Sequence, residues 1–436
     1  MLYDLQSMED PRDMVHRCVQ TLVEGGLVGM PSETVYGLIA SARDVNAVQR
    51  LDRILRQAWP RQPASSSKIA VDRTIQGSLA LSLRSGESAG DFLMHTGRGR
   101  GYSLARRLCE RCFAGPLTLV ADASDPASAM SHLPIEVQEI LMAGDSRDAA
   151  FRVSDHRLLS HVHRYLAAPL VWGEMPDEGG KPITTAEGLQ SRLREIGSGD
   201  NESDEVDSAS GLPLILDDGV SRYGGWGTTV RVNERTWTVL RDGVIQRAAM
   251  NQFVKPVIAV VCTGNTCRSP MAETLLKDIL QRRFGREDAA RVVSAGVAAG
   301  RGGGASPQAV EVMGQQGLDL TGHASRPLDD ELVSMADLVL TMTRRHRDAI
   351  LAAWPNRADR VFTLRRDGGD ITDPVGMPVD VYQACAKQLR DELTKWVDEL
   401  GPDFFPVELP EHGGDRHNDG PVANGDPPRP APGDSI

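Results

Sequence analysis

The chain has 436 residues, with 48 Lys and Arg against 60 Asp and Glu, for a formal net charge of −12. At roughly 150 residues per domain this is two or three domains, and 40% hydrophobic with 25% charged residues is ample for buried cores. The acidic balance and the 5% aromatic content exclude a general nucleic-acid coat built on basic stripes and stacked bases.

No run of the ~20 apolar residues that a membrane span requires is present. The opening MLYDLQSMEDPRDMVHR is acidic and polar, without the apolar core of a secretory leader, so a cytoplasmic chain is expected. Across residues 12–246 the strand-like runs Gly26–Pro31, Leu117–Ala121, Pro169–Trp172, Leu214–Leu216 and Thr228–Val232 alternate with helical stretches, an α/β pattern. Six cysteines in so long a chain do not make a disulfide scaffold. Cys109 and Cys112, in YSLARRLCERCF, share one face of a predicted helix. A zinc site would need a second ligand pair and none follows, so two half-buried thiols and no metal are expected. Residues 196–210 are acidic, rich in Ser and Gly and without apolar period, and read as a surface insertion.

Five strings stand in order along this part: GGLVGMPSETVYGLIASA (25–42), FAGPLTLV (113–120), FRVSDHRLL (151–159), LILDDGVSRYGGWGTTVRV (214–232) and VLRDGVI (239–245). Together they resemble the YrdC-like family, the threonylcarbamoyl-AMP synthases that serve tRNA modification. The resemblance implies a twisted mixed α/β sheet with a positively lined cavity for ATP and nucleic acid. It places Thr34 and Tyr36 against substrate, and Arg152, Thr229 and Arg241 near the nucleotide. Two departures stand out. Where the family has Lys-Gly-Arg-Pro this chain reads LRQAWPRQP (55–63), so that Arg61 stands in for one base. Where it has Ser-Ala-Asn-x-Ser-Gly the chain reads WGEMPDEGG (172–180), setting Glu174 and Asp177 against any docking phosphate. A retained ligand-binding or regulatory fold, with nucleotide or tRNA as partner, is expected ahead of synthase activity.

Residues 247–255, RAAMNQFVK, read as a linker to a second α/β part at 256–400. Here Val257–Val261 and Leu338–Met342 are apolar throughout, as strands covered on both faces are. The most informative segment follows the first of them: Cys262-Thr-Gly-Asn-Thr-Cys-Arg268-Ser-Pro. A helix opens at about Ser269–Pro270, because proline in a first turn lacks only an N–H that has no helical partner. The residues between strand and helix, Thr263, Gly264, Asn265, Thr266 and Cys267, can curl into a cradle of N–H groups. The helix N-terminus adds positive potential. Such a cradle binds phosphate and favours a thiolate at its base. Arg268 supplies a planar fork for phosphate oxygens, and Ser269 a hydroxyl for the sulfur. Thiolate attack on phosphorus also needs an acid for the leaving group. Asp373, before a proline and so in extended backbone, and Asp370 both qualify.

CTGNTCRSPMAE, SAGV (294–297), GLDLTGHASRPL (317–328), ADLVLTM (336–342) and DITDPVG (370–376) resemble the low-molecular-weight protein tyrosine phosphatases, with every motif in order. The resemblance implies a four-stranded parallel sheet with helices on both faces and no cofactor. By it, Cys262 forms a phosphocysteine, Arg268 binds phosphate and Asp373 is acid and then base. Ser294 and His323 hydrogen-bond Asn265, which holds a strained turn, and Cys267 can trap oxidised Cys262 as a disulfide. Thr266 and Val375-Gly376 stand where tyrosine-specific members carry an aliphatic residue and an aromatic pair. That resembles the protein-arginine-phosphatase branch and ranks phosphoarginine above phosphotyrosine in protein substrates. From Gly401 to Ile436 the Pro, Gly, Asp and Asn content predicts a disordered tail.

Overall fold

The computed structural model describes residues 2–8, 12–59, 79–93, 104–142, 147–166, 168–197 and 213–409. In chain order the first part holds β1 (Leu2–Asp4), α1 (Arg12–Val23), β2 (Val28–Pro31), β3 (Tyr36–Ser41), α2 (Val45–Ala58), β4 (Leu79–Ser82) and α3 (Gly86–Leu93). There follow α4 (Leu104–Cys112), β5 (Leu117–Asp122), α5 (Ile135–Leu141), β6 (Asp148–Arg152), α6 (Arg157–Tyr165) and β7 (Leu170–Glu174). α7 (Ala186–Gly197), β8 (Leu214–Asp217), β9 (Thr228–Val232), β10 (Thr236–Arg241) and α8 (Arg247–Val254) complete it. The second part holds β11 (Val257–Cys262), α9 (Arg268–Phe284), β12 (Arg291–Gly296), α10 (Pro307–Gln315), α11 (Asp330–Met335) and β13 (Leu338–Thr341). It ends with α12 (Arg344–Ala353), β14 (Val361–Thr363), α13 (Val379–Leu400) and β15 (Val407–Glu408).

The first part is built on a mixed sheet in the order β1-β8-β2-β3-β7-β4-β6-β5-β9-β10-β15. Its central strands are buried end to end, β2 and β3 without an exposed residue, because helices cover both faces. Gly37 is required there: a Cβ would collide with the Gly173 carbonyl and the Trp172 ring on β7. The second part is a four-stranded parallel sheet, β12-β11-β13-β14, with β11 central and register-paired to β12 from Val257↔Arg291 to Cys262↔Gly296. Both architectures agree with the α/β expectation.

Three boundaries differ from the sequence reading. β1 pairs with β8, so the first part begins before residue 12. The expected linker is largely the helix α8, since Met250 and Val254, four apart, share one face buried in the first part's core. The expected tail is ordered as far as 409: Phe404 and Phe405 are buried in the second core, and β15 adds to β10. Residues 410–436, and 198–210 of the acidic insertion, lie outside the described residues. Among the described residues no helix is long and apolar enough to cross a membrane.

The CxxC helix has a role that its thiols do not reveal. Cys109 and Cys112 are buried in the first core, and burial pushes both thiols up to about 12. The charged face of α4 instead meets the second part. Arg107 Nε donates to Asp337 Oδ1 at 2.9 Å and Arg111 Nη2 to Asp337 Oδ2 at 2.7 Å, while Val257 N–H donates to the same Oδ2 at 2.7 Å. The two guanidiniums also bond the carbonyls of Phe253, Val254, Lys255 and Met335, and Arg360 pairs with Glu110. Burial works to raise the Asp337 carboxyl, but the guanidiniums and the Val257 amide outweigh it and hold the group below the usual carboxylate range. Arg107→Met keeps the apolar stem but removes one partner of a buried carboxylate. It should cost about 3 kcal/mol of unfolding free energy, read as a lower denaturant midpoint of the full chain; an unchanged midpoint would show that the cluster does not stabilise.

Candidate active site

β11 is apolar and buried over all six residues and ends on Cys262, whose side chain is buried. α9 begins at Arg268, one residue before the expected start, with Pro270 in its first turn. Between them the chain reverses sharply at Asn265, which has φ +54° and is the one non-glycine residue with positive φ among the described residues. Asparagine tolerates the left-handed region better than most side chains. Its own side chain also secures the turn: Nδ2 donates to Ser269 Oγ at 3.0 Å, and Oδ1 accepts from Arg326 N–H at 2.8 Å. His323 Nε2 lies 2.7 Å from the Asn265 carbonyl. The turn aims the Asn265 N–H at Cys262 Sγ from 3.2 Å, and Ser269 Oγ stands 3.0 Å from the same sulfur. Gly296 closes the loop from beside, where a Cβ would strike the Thr263 carbonyl.

Arg268 is buried in its first helical turn and reaches out of the loop floor. Nη1 donates to the Ile371 carbonyl at 3.2 Å, and Nη2 pairs with Asp373 Oδ2. Asp373 is about half exposed, and its other oxygen accepts from Val375 N–H at 3.2 Å. Asp370 takes a different place: its Oδ1 accepts from Arg344 N–H at 2.8 Å, at the start of α12. The fold therefore sets Asp373, and not Asp370, on the arginine. Thr263 is exposed, Gly264 and Thr266 are half-buried, and Cys267 is buried.

One expected contact is absent. Ser294 does not bond Asn265: on β12 it is paired with Val260, two residues short of the loop, and its N–H donates to Glu273 Oε2 at 2.9 Å. The backbone of Arg326 supplies the support expected of it. Sequence reasoning also missed His346, buried on α12 with Nε2 2.8 Å from Thr263 Oγ1. Burial, and then the Arg268 guanidinium, push this imidazole below its ordinary value. Behind the loop, buried Cys267 Sγ lies 3.3 Å from the half-buried Ser306 Oγ and 3.4 Å from Tyr382 OH. The helical spacing of TMTRRHR could have marked His346 as inward, but nothing in the sequence aligns it with Thr263.

In the first part, Arg152, Arg241, Thr34 and Thr229 come together around Glu33 and Glu174. Arg152 donates to Glu33 Oε1 at 2.9 Å and Glu174 Oε1 at 3.1 Å, and Arg241 to Glu174 Oε2 at 2.6 Å. Thr229 and Arg241 line a small cavity with Trp59, Thr118, Trp172 and Glu174. Tyr36 does not join them, because its buried hydroxyl donates to Gly219 O at 2.7 Å and to Asp217 Oδ1 at 3.1 Å on the far side of β3. Arg61 lies outside the described residues. No group of three His, Cys, Asp or Glu that could hold a metal occurs among the described residues.

Residues 257–404 match the model of the low molecular weight phosphotyrosine protein phosphatase family. A protein-arginine-phosphatase of Bacillus subtilis (strain 168) is 45% identical over 147 residues, 33% of this chain and 93% of that protein. The chain belongs to this family. A probable low molecular weight protein-tyrosine-phosphatase, EpsP, of Ralstonia solanacearum is 36% identical over 144 residues, 33% of this chain and 94% of its own length. The crystal structure of a YwlE mutant from Bacillus subtilis is 41% identical and covers 34% of this chain and 99% of that one, with a TM-score of 0.32. The chain is thus a phosphatase, a hydrolase, and its phosphatase part extends to residue 404. Asn265→Ala should lower kcat for an aryl phosphate roughly tenfold or more, because the loop then relaxes out of the left-handed turn. Asn265→Gly, free to keep positive φ, should recover part of the loss; an alanine variant as fast as the parent would show that other contacts hold the loop.

Proposed function

We propose that the chain is a cysteine-dependent protein phosphatase that forms a phosphocysteine on Cys262 and prefers phosphoarginine to phosphotyrosine. The observation that carries the chemistry is Cys262 Sγ facing the Asn265 N–H and the Ser269 hydroxyl, at 3.2 and 3.0 Å, with Arg268 and Asp373 paired above it. Two donors aimed at one sulfur stabilise negative charge there. The N–H groups of the loop and the opening of α9 do the same for a bound phosphate.

A phosphoryl group entering the loop takes over the Arg268 fork and releases Asp373 toward the leaving atom. The sulfur then attacks phosphorus, forming S–P as the P–N or P–O bond breaks, and Asp373 gives its proton to the departing nitrogen or oxygen. In the second half Asp373 takes a proton from water, the water oxygen attacks phosphorus, the S–P bond breaks and inorganic phosphate leaves. Ser269 donates to the departing sulfur. His323 and Thr263–Cys267 keep the cradle in place, and Ser294 contributes packing against α9 rather than a bond to Asn265.

The substrate preference rests on the walls. Val375 and Met377, exposed beside Asp373, offer no aromatic face to a phenol. The half-buried Thr266 sets a hydroxyl where a larger aliphatic side chain would pack a ring. The Bacillus subtilis relative named a protein-arginine-phosphatase supports the same choice. For the first part, Glu33 and Glu174 already pair with Arg152 and Arg241, which weighs against a docking site for ATP phosphates there.

Cys262→Ser should abolish turnover of phosphoarginine protein and aryl phosphate alike; residual activity near the parent's would remove the assignment. Thr266→Ile should shift the ratio of kcat/KM from phosphoarginine toward phosphotyrosine by roughly tenfold, measured on matched peptides, and an unmoved ratio would show that Thr266 does not set it.

A further inference from the structure

A helix tied to the phosphate loop carries arginines that the chemistry of the site does not use. α12 opens on Arg344 and Arg345, both exposed, and neither guanidinium has an acidic partner among the described residues. Cations in a first helical turn oppose the helix dipole, so helix stability gives no reason for the pair. An anion held in front of them would.

This helix end is fixed to the site at two points. His346 Nε2 meets Thr263 Oγ1 in the loop at 2.8 Å, and Arg344 N–H meets Asp370 Oδ1 at 2.8 Å, one residue before the Ile371 whose carbonyl holds Arg268. A second pair, Arg301 and Arg326, stands on the loops that support Asn265. Both lean on the single carboxylate of Asp329, at 3.6 and 3.3 Å. Arg344 and Arg345 are thus cations without an acidic partner among the described residues, on a helix end tied to the phosphate loop, in a chain of net charge −12.

We propose that this arginine rim, Arg344 and Arg345 above all, docks carboxylate side chains that flank the phosphorylated residue in protein substrates. The proposal rests on the phosphatase reading and names the substrate context of the same site. The rim is exposed, so each contact is weak and screened by salt. Its effect lies in encounter and KM rather than in the chemical step.

The test uses the full-length chain and phosphopeptides carrying whichever phosphorylated side chain it turns over faster. One peptide has glutamates on either side of the target residue, and its partner has glutamines. At low salt the acidic peptide should show roughly fivefold to tenfold higher kcat/KM, through KM, and the advantage should vanish near 1 M salt, where the Debye length is about 3 Å. R344Q/R345Q should bring the ratio between the two peptides to about one, while R344K/R345K keeps it. Because each ratio is taken within one variant, a loss of folded protein does not imitate the result. Equal turnover of both peptides by the parent overturns the proposal, as does a ratio that survives R344Q/R345Q. Inhibition by single-stranded RNA without any peptide preference would also overturn it and assign the rim to nucleic acid. Turnover of a small aryl phosphate is read in parallel: its presence with no peptide preference sinks the rim alone, and its absence sinks the phosphatase reading itself.

Discussion

Six residues, from Thr263 to Arg268, must turn the end of a buried strand into the start of a helix while aiming the Asn265 N–H at Cys262 Sγ. That constraint sets the rest of the phosphatase part. It demands a left-handed residue at 265, and it demands that the polar atoms of that residue be satisfied where no water reaches. Ser269, the Arg326 amide and His323 meet the second demand, so loops distant in sequence are tied to the turn by one asparagine. Gly296 meets a related one by leaving space where the Thr263 carbonyl must pass. The site is pre-formed because each support has its own reason to stay in place.

The opposite end of the same sheet is held by a buried carboxylate. Asp337 sits just before β13 and accepts from the first residue of β11, so one side chain ties the starts of these two neighbouring strands. Its charge is balanced by Arg107 and Arg111 from the other part of the chain. A buried ion cluster of this kind is intolerant of losing one member. The two parts are further joined where β15, arriving after the phosphatase core, extends the first sheet at β10.

The first part shows how neighbouring carboxylates neutralise arginines that converge. Arg152 and Arg241 converge as a positively lined cavity requires. Glu33 and Glu174 converge with them, and each guanidinium is paired with at least one of the two carboxylates. A phosphate would have to displace a carboxylate that is already bonded and buried.

The sequence alone was enough for the strand, turn and helix start around Cys262–Pro270, because an apolar strand, C-x5-R and a helix-opening proline are contiguous. It also determined the α/β class, since strands covered on both faces must be apolar throughout. It favoured Asp373 over Asp370 only weakly, and the family resemblance placed Ser294 on Asn265, where the structure has the Ser294 N–H on Glu273. It read α8 as a linker and Phe404–Phe405 as part of a disordered tail. His346, the Arg326 amide and the Asp337 cluster were invisible to it for one reason. Each pairs residues far apart in the chain, brought together by packing, and no local pattern records which distant partner a buried polar group will find.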